Sequence, residues 1–151
     1  MGLLKSELTA QLDDVTRVAS ETLALYEDFE TRVESRELKT LLQVQWSKQR
    51  RFLEDIATFR RRHGALPKAG DPEHSHLEAA AAHLRARFLP GDTDFRYVES
   101  VLDACSELDA EIDEALGAGP TPELEAMLER FKDDNAEFER GLRTVAAALT
   151  K

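Results

Sequence analysis

The chain has 151 residues, 33% charged and 42% hydrophobic, with a formal charge of −10 and one cysteine. That length suits a single domain, residues 1–151, with a sizeable core. The acidic balance argues against generic nucleic-acid binding, which needs a positive surface. No apolar run approaches the roughly 18 residues of a membrane span, so no membrane partner is expected. A lone cysteine excludes an intrachain disulfide framework and fits a reducing cytoplasm. The opening Met1-Gly2-Leu3-Leu4-Lys5-Ser6-Glu7 carries an early acid and lacks the long apolar stretch of a secretory signal.

The first helix is expected from about Leu4 to Val33, with a stripe Leu8, Leu12, Val15, Ala19, Thr22, Tyr26, Phe29, Val33. Spacings of three and four alternate along it, as in the seam of a helical bundle. Ser35 is the expected N-cap of the second helix, which carries Leu38, Leu42, Gln45, Gln49, Phe52, Ile56, Phe59, His63 and stops at Gly64 in a left-handed C-cap. Ala65 to Gly70 reads as a loop. Asp71-Pro72 then opens a shorter helix with Leu77, Ala81, Leu84 and Phe88 on one face, closed by Pro90-Gly91. The third helix starts near Asp92 or Thr93 and ends at Leu116-Gly117, its stripe being Phe95, Val98, Leu102, Cys105, Asp109, Ile112, Leu116. Thr121-Pro122 opens the fourth, with Leu124, Leu128, Phe131, Asn135, Phe138, Leu142, Val145, Leu149. Almost nothing alternates with period two, so no strands are expected. No low-complexity tract or repeat is apparent.

Short connections make helices one and two, and helices three and four, antiparallel hairpins. The long connection between the hairpins holds a helix of about 16 residues. At 1.5 Å per residue it spans roughly 24 Å, most of the bundle's length. The expected architecture is therefore all-α: a ferritin-like four-helix bundle of two antiparallel hairpins joined by a long crossover containing a short fifth helix. An up-down bundle with a decorated loop is the alternative.

All four stripes are interrupted near mid-helix by polar residues. Register arithmetic sets Thr22 opposite about Gln45 to Gln49, and Cys105 opposite about Asn135. Thr22, Gln45, Gln49, Cys105, Asp109 and Asn135 are thus the candidate site, a central polar layer. A buried set of amides and hydroxyls fixes register when every member is hydrogen-bonded. A single weak metal site and a small-ligand pocket are the alternatives.

Three motifs carry a family resemblance: Glu37-Leu38-Lys39 with Gln49-Arg50-Arg51-Phe52-Leu53-Glu54, the Gly64-Ala65-Leu66-Pro67 turn, and Leu84-Arg85-Ala86. On these the chain resembles a family of bacterial ferritin-like four-helix proteins linked to stress response. The resemblance implies a dimeric or higher assembly and a place for metal. A di-iron centre needs a glutamate from each of two helices and Glu-x-x-His from each of the other two. Here Gln45, Gln49, Asn135 and Thr22 stand at the inward positions, with Glu21, Asp28 and Asp134 beside the stripes. The location is that of a di-metal site, but the chemistry is not. No metal or other cofactor is expected there.

Glu73-His74-Ser75-His76 holds the chain's one Glu-x-x-His, and His83 lies two turns on. Glu73, His76 and His83 could line one stripe and bind zinc, or lie solvated at an interface edge beside Leu77, Ala80 and Leu84. Cys105, on an apolar stripe, reads as a buried structural thiol rather than a nucleophile. Arg60-Arg61-Arg62 suits the dipole of a helix C-terminus, with a phosphate role as the alternative. Leu25, Leu41, Val44 and Trp46 exceed what one core needs, which predicts a homodimer. The function expected is a non-catalytic scaffold or interaction protein with an unknown protein partner. An iron or manganese oxidase or storage protein with an altered site is the alternative.

Overall fold

The computed structural model describes residues 6–64 and 93–149. Four helices occupy them: α1 (Ser6–Glu30), α2 (Arg36–Arg62), α3 (Asp94–Gly117) and α4 (Pro122–Leu149). No strand is present among the described residues. The short helix expected after Asp71-Pro72, and the sites at Glu73, His76 and His83, lie outside them.

The helices pack as a four-membered bundle. Helix α1 lies against α2 and α3, and α4 lies against the same two; across the α1–α4 diagonal the rings of Tyr26 and Phe138 meet edge to face at 5.5 Å. The Asp94 carboxylate accepts from the backbone N–H groups of Glu34 (2.9 Å) and Ser35 (2.7 Å), which sets the start of α3 beside the start of α2. At the far end Arg62 of α2 pairs with Glu123 of α4, and Arg60 of α2 reaches Asp13 of α1 at 2.6 Å. Neighbouring helices therefore run antiparallel, while α2 and α3 run parallel on opposite corners. Gly64 and Thr93 sit at opposite ends of the bundle.

Capping explains the helix limits. The Ser35 hydroxyl accepts from the Leu38 N–H at 3.2 Å, satisfying one of the free donors of the first turn of α2. Gly64, at φ 70°, takes the left-handed turn that ends it. Helix α1 stops three residues before Val33, because Thr31, Arg32 and Val33 turn back onto the Asp28 and Phe29 carbonyls. Val33 still reaches the core through that turn. At the end of α3 the positive φ falls on Gly119 (77°) rather than on Gly117. The Thr121 hydroxyl accepts from the Leu124 N–H at 3.4 Å, with Pro122 in the first helical position, where a missing N–H costs nothing.

The stripes of α1, α2 and α4 face the interior as their spacing demands, with His63 and Leu149 less buried at the helix ends. Helix α3 is different. Its buried row is Val98, Val101, Cys105, Leu108, Ile112 and Ala115, with Tyr97 and Ala104 beside it. Leu102 and Leu116 lie on the flank, and Phe95 is 37% exposed. The helix is rotated so that Asp109 stands at the rim of the layer instead of in the seam. Both rows are equally apolar except at this point. Leu108 inside and Asp109 outside avoid burying a carboxylate, which costs far more than turning the helix. Leu25, expected at a dimer face, is a core residue at 3% exposure, and Leu41 packs against the core; of the four, Val44 alone is widely exposed, at 48%. A core-facing helix of a bundle buries more than the narrow seam of a coiled coil. Gly141 lets α4 pass close to α2, since a Cβ there would stand 3.0 Å from the Leu41 side chain.

Candidate functional site

The apolar core is split in two. One part gathers Leu8, Leu12, Phe52, Phe59, Leu128 and Phe131 with their neighbours. The other gathers Phe29, Leu38, Leu42, Tyr97, Phe138 and Leu142 with theirs. Between them lies the polar level to which Thr22, Gln45, Gln49, Cys105, Asp109 and Asn135 all contribute.

On the α1–α2 side, Gln49 is fully buried and donates from Nε2 to the Ala19 carbonyl at 2.7 Å and to the Thr22 hydroxyl. Thr22 in turn donates to the same carbonyl at 3.1 Å. These contacts orient the amide, because the reverse placement would set two oxygens against each other. Among the described residues the Gln49 Oε1 finds no hydrogen-bond partner. Gln45, 1% exposed and one turn earlier, donates to the Asn135 Oδ1 across the bundle at 3.4 Å.

On the α3–α4 side, Asn135 is fully buried and donates from Nδ2 to the Cys105 carbonyl (3.2 Å) and to Asp109 Oδ1 (2.9 Å). It is the link between the halves, accepting from α2 and donating to α3. Two residues outside the predicted set complete the layer, Tyr26 from α1 and Glu139 from α4. Tyr26 is fully buried, its hydroxyl 3.6 Å from the Cys105 Sγ. Glu139, one turn after Asn135, meets Asp109 at the rim and lies 3.5 Å from the Arg143 guanidinium. Periodicity places Tyr26 on the α1 stripe; its hydroxyl was the signal. Glu139 is off every stripe, and only the rotation of α3 brings Asp109 to it.

The electrostatics favour neutral groups. Burial, with a smaller contribution from Tyr26 and nearby carboxylates opposing each other, pushes the Cys105 thiol from 9.0 to about 12. A nucleophilic cysteine needs the reverse. Burial also raises the Tyr26 phenol well above its ordinary range, and the adjacent Cys105 adds to the shift. Glu139 is raised first by burial and then by its hydrogen bond and charge repulsion with Asp109, against the pull of Arg143.

Among the described residues no group of three or more His, Cys, Asp or Glu is placed to hold a metal ion. Asp109 and Glu139 are the two acids at the layer. Glu21 is drawn to Arg17 (3.6 Å) and Asp28 to Arg32 (3.1 Å), both away from it. Asp134 lines a groove on the outer face between α2 and α4. The arginine run at the end of α2 is occupied in structure: Arg60 is 3% exposed against Asp13, Arg61 donates to Thr58, and Arg62 holds Glu123. Trp46 lies under the Arg50 guanidinium, 5.2 Å from its ring centre, and Leu53 packs on the core. None of the described helices is long and apolar enough to cross a membrane.

The groove shows a feature that the stripes conceal. Arg51, Phe52, Asp55, Ala57, Phe59 and Arg61 recur at identical spacing as Arg130, Phe131, Asp134, Ala136, Phe138 and Arg140. Because α2 and α4 run antiparallel, the copies face each other about a local two-fold, and Phe52 stacks on Phe131 with ring centres 4.2 Å apart and planes within 11°. In this repeat Asn135 stands where α2 has Ile56. The repeat was visible in the sequence to a self-comparison, though not to a count of periods. No family model, curated protein or solved structure matches the chain.

Proposed function

We propose that the chain is a ferritin-like bundle whose mid-bundle metal position is given over to hydrogen-bonded neutral side chains, and that it works in the cytoplasm as a non-catalytic, dimeric scaffold or interaction protein in a stress-linked setting. The carrying observation is Gln49, fully buried and held by the Ala19 carbonyl and Thr22 at the level where a ferritin-like centre would need a carboxylate. Amides carry no charge, and two buried divalent cations without anionic ligands lose far more solvation than neutral oxygens return. The parallel, diagonal course of α2 and α3 supports the ferritin-like topology, since an up-down bundle would make consecutive helices adjacent and antiparallel.

Untagged protein from cells grown in iron-rich medium should contain well under one metal ion per chain, and oxygen uptake with ferrous iron should stay at the buffer rate. Two tightly held irons per chain would end this reading. The dimer is tested by sedimentation at tens of micromolar, where a clean monomer removes that part. The Asp109–Glu139 pair favours one second reading, a single-ion iron or manganese protein with an altered oxidase or storage site. One ion per chain, lost in Asp109→Asn, would establish that reading in place of the first.

A further inference from the structure

Helix α2 is the basic element of an acidic protein: eight lysines and arginines against three acids, whereas α3 on the opposite corner has eight acids and one arginine. The α2 edge is therefore where the positive charge of the described helices concentrates. On that edge α2 and α4 enclose a groove of about 510 Å³, within the range of small-molecule sites. Lys48 and Arg51 line it from α2 and Arg130 from α4, with Phe52, Phe131 and Met127 as the apolar part of the wall.

These cations are distinguished by what they leave undone. Arg50, Arg17 and Arg143 all pair with an acid one turn away on their own helix. Arg51 and Arg130 each have an aspartate at the same separation, Asp55 and Asp134, yet neither closes the pair, and Lys48 has no ion-pair partner among the described residues. Among the described residues, two related arginines thus have guanidinium groups without an ion-pair partner, on either side of a stacked ring pair. A guanidinium offers a planar fork of donors matched to phosphate and carboxylate.

We propose that the α2–α4 groove binds a small organic anion, a phosphate or carboxylate on a flat apolar body. Arg51, Arg130 and Lys48 hold the charge, and the body lies along Phe52, Phe131 and Met127. Asp55 and Asp134 accept from hydroxyl or amino groups on the ligand. The site lies outside the polar layer and does not depend on how that layer is read.

The test uses the full chain and the fluorescent aromatic sulfonate 8-anilinonaphthalene-1-sulfonate as probe, in about 0.1 M salt so that diffuse attraction is screened. Wild type should bind one probe per chain saturably. The double variant Arg51→Gln, Arg130→Gln should weaken it about tenfold or more, the effect of losing two charge-assisted contacts. The charge-matched control Arg36→Gln, Lys39→Gln, on the same helix away from the groove, should leave affinity unchanged. Both groove arginines are exposed, so folding is not at stake. Displacement by pyrophosphate identifies phosphate recognition and displacement by citrate identifies carboxylate recognition, and either supports the site. Absence of binding at about 1 mM probe, equal binding by the groove variant, equal weakening by the control, or retention of the probe against both anions would overturn it.

Discussion

The two sides of the polar layer solve the same problem differently. On the α1–α2 side every polar group is neutral and fully enclosed, and one of them, Gln49 Oε1, finds no hydrogen-bond partner among the described residues. On the α3–α4 side the charge-bearing groups stand at the rim, where Glu139 keeps 16% exposure and Arg143 is close by. The enclosed side gains a fixed register at the cost of tolerating no charge. The rim side tolerates charge but ties its stability to protonation. Asn135 joins the two, so a change on one side is felt on the other.

The strongest way to break this contrast is to put a carboxylate on the enclosed side. Gln49→Glu should lower the unfolding free energy by about 3–5 kcal/mol at neutral pH, the cost of an unpaired buried charge. Urea unfolding should show most of that loss recovered in acid, where the side chain is neutral. A change below about 1 kcal/mol at neutral pH would mean that the layer is open to water or already holds a cation.

A smaller effect is expected at the rim. Because the folded-state pKa of Glu139 lies above its ordinary 4.5, the native protein binds this proton more tightly than the unfolded chain. The resulting stability is present below about pH 4.5 and is lost as pH rises through the raised value. Glu139→Gln should flatten that part of the stability–pH curve, leaving the variant at least as stable as wild type at neutral pH. An unchanged slope would show that burial beside Asp109 does not raise the Glu139 carboxyl.

The smallest effect concerns Cys105. Its raised thiol contributes nothing to the pH dependence below about 9, and stability should decline as pH rises from 9 toward 12, where only the unfolded chain ionises. Below that range a disulfide reagent should modify it at the rate of unfolding. Instant labelling of native protein would place the thiol at the surface.

Much of this was legible because α1, α2 and α4 each offer a single apolar stripe, so their inward faces have one solution. Helix α3 offers two, through Leu102 and Leu116 or through Val101, Leu108 and Ala115. Counting apolar positions cannot choose between them; the cost of burying Asp109 does. The Asp109–Glu139 contact was hidden for the same reason, being a product of that rotation. The groove is not legible in the periods because its arginines lie beside the stripes, where charge reads as ordinary solvated surface. Leu25 lies outside a narrow coiled-coil seam but inside the wider face that a bundle helix buries.

The Asp94 carboxylate that receives the Glu34 and Ser35 N–H groups has a bearing on the order of events in folding. Each hairpin can form from contacts close along the chain, which close quickly. The Asp94 contact reaches back 59 and 60 residues, so it cannot exist until the start of α3 has returned to the first hairpin. It acts as a late fastening, and Asp94→Ala belongs to the class of changes that hasten unfolding while leaving the formation of either hairpin at its own pace.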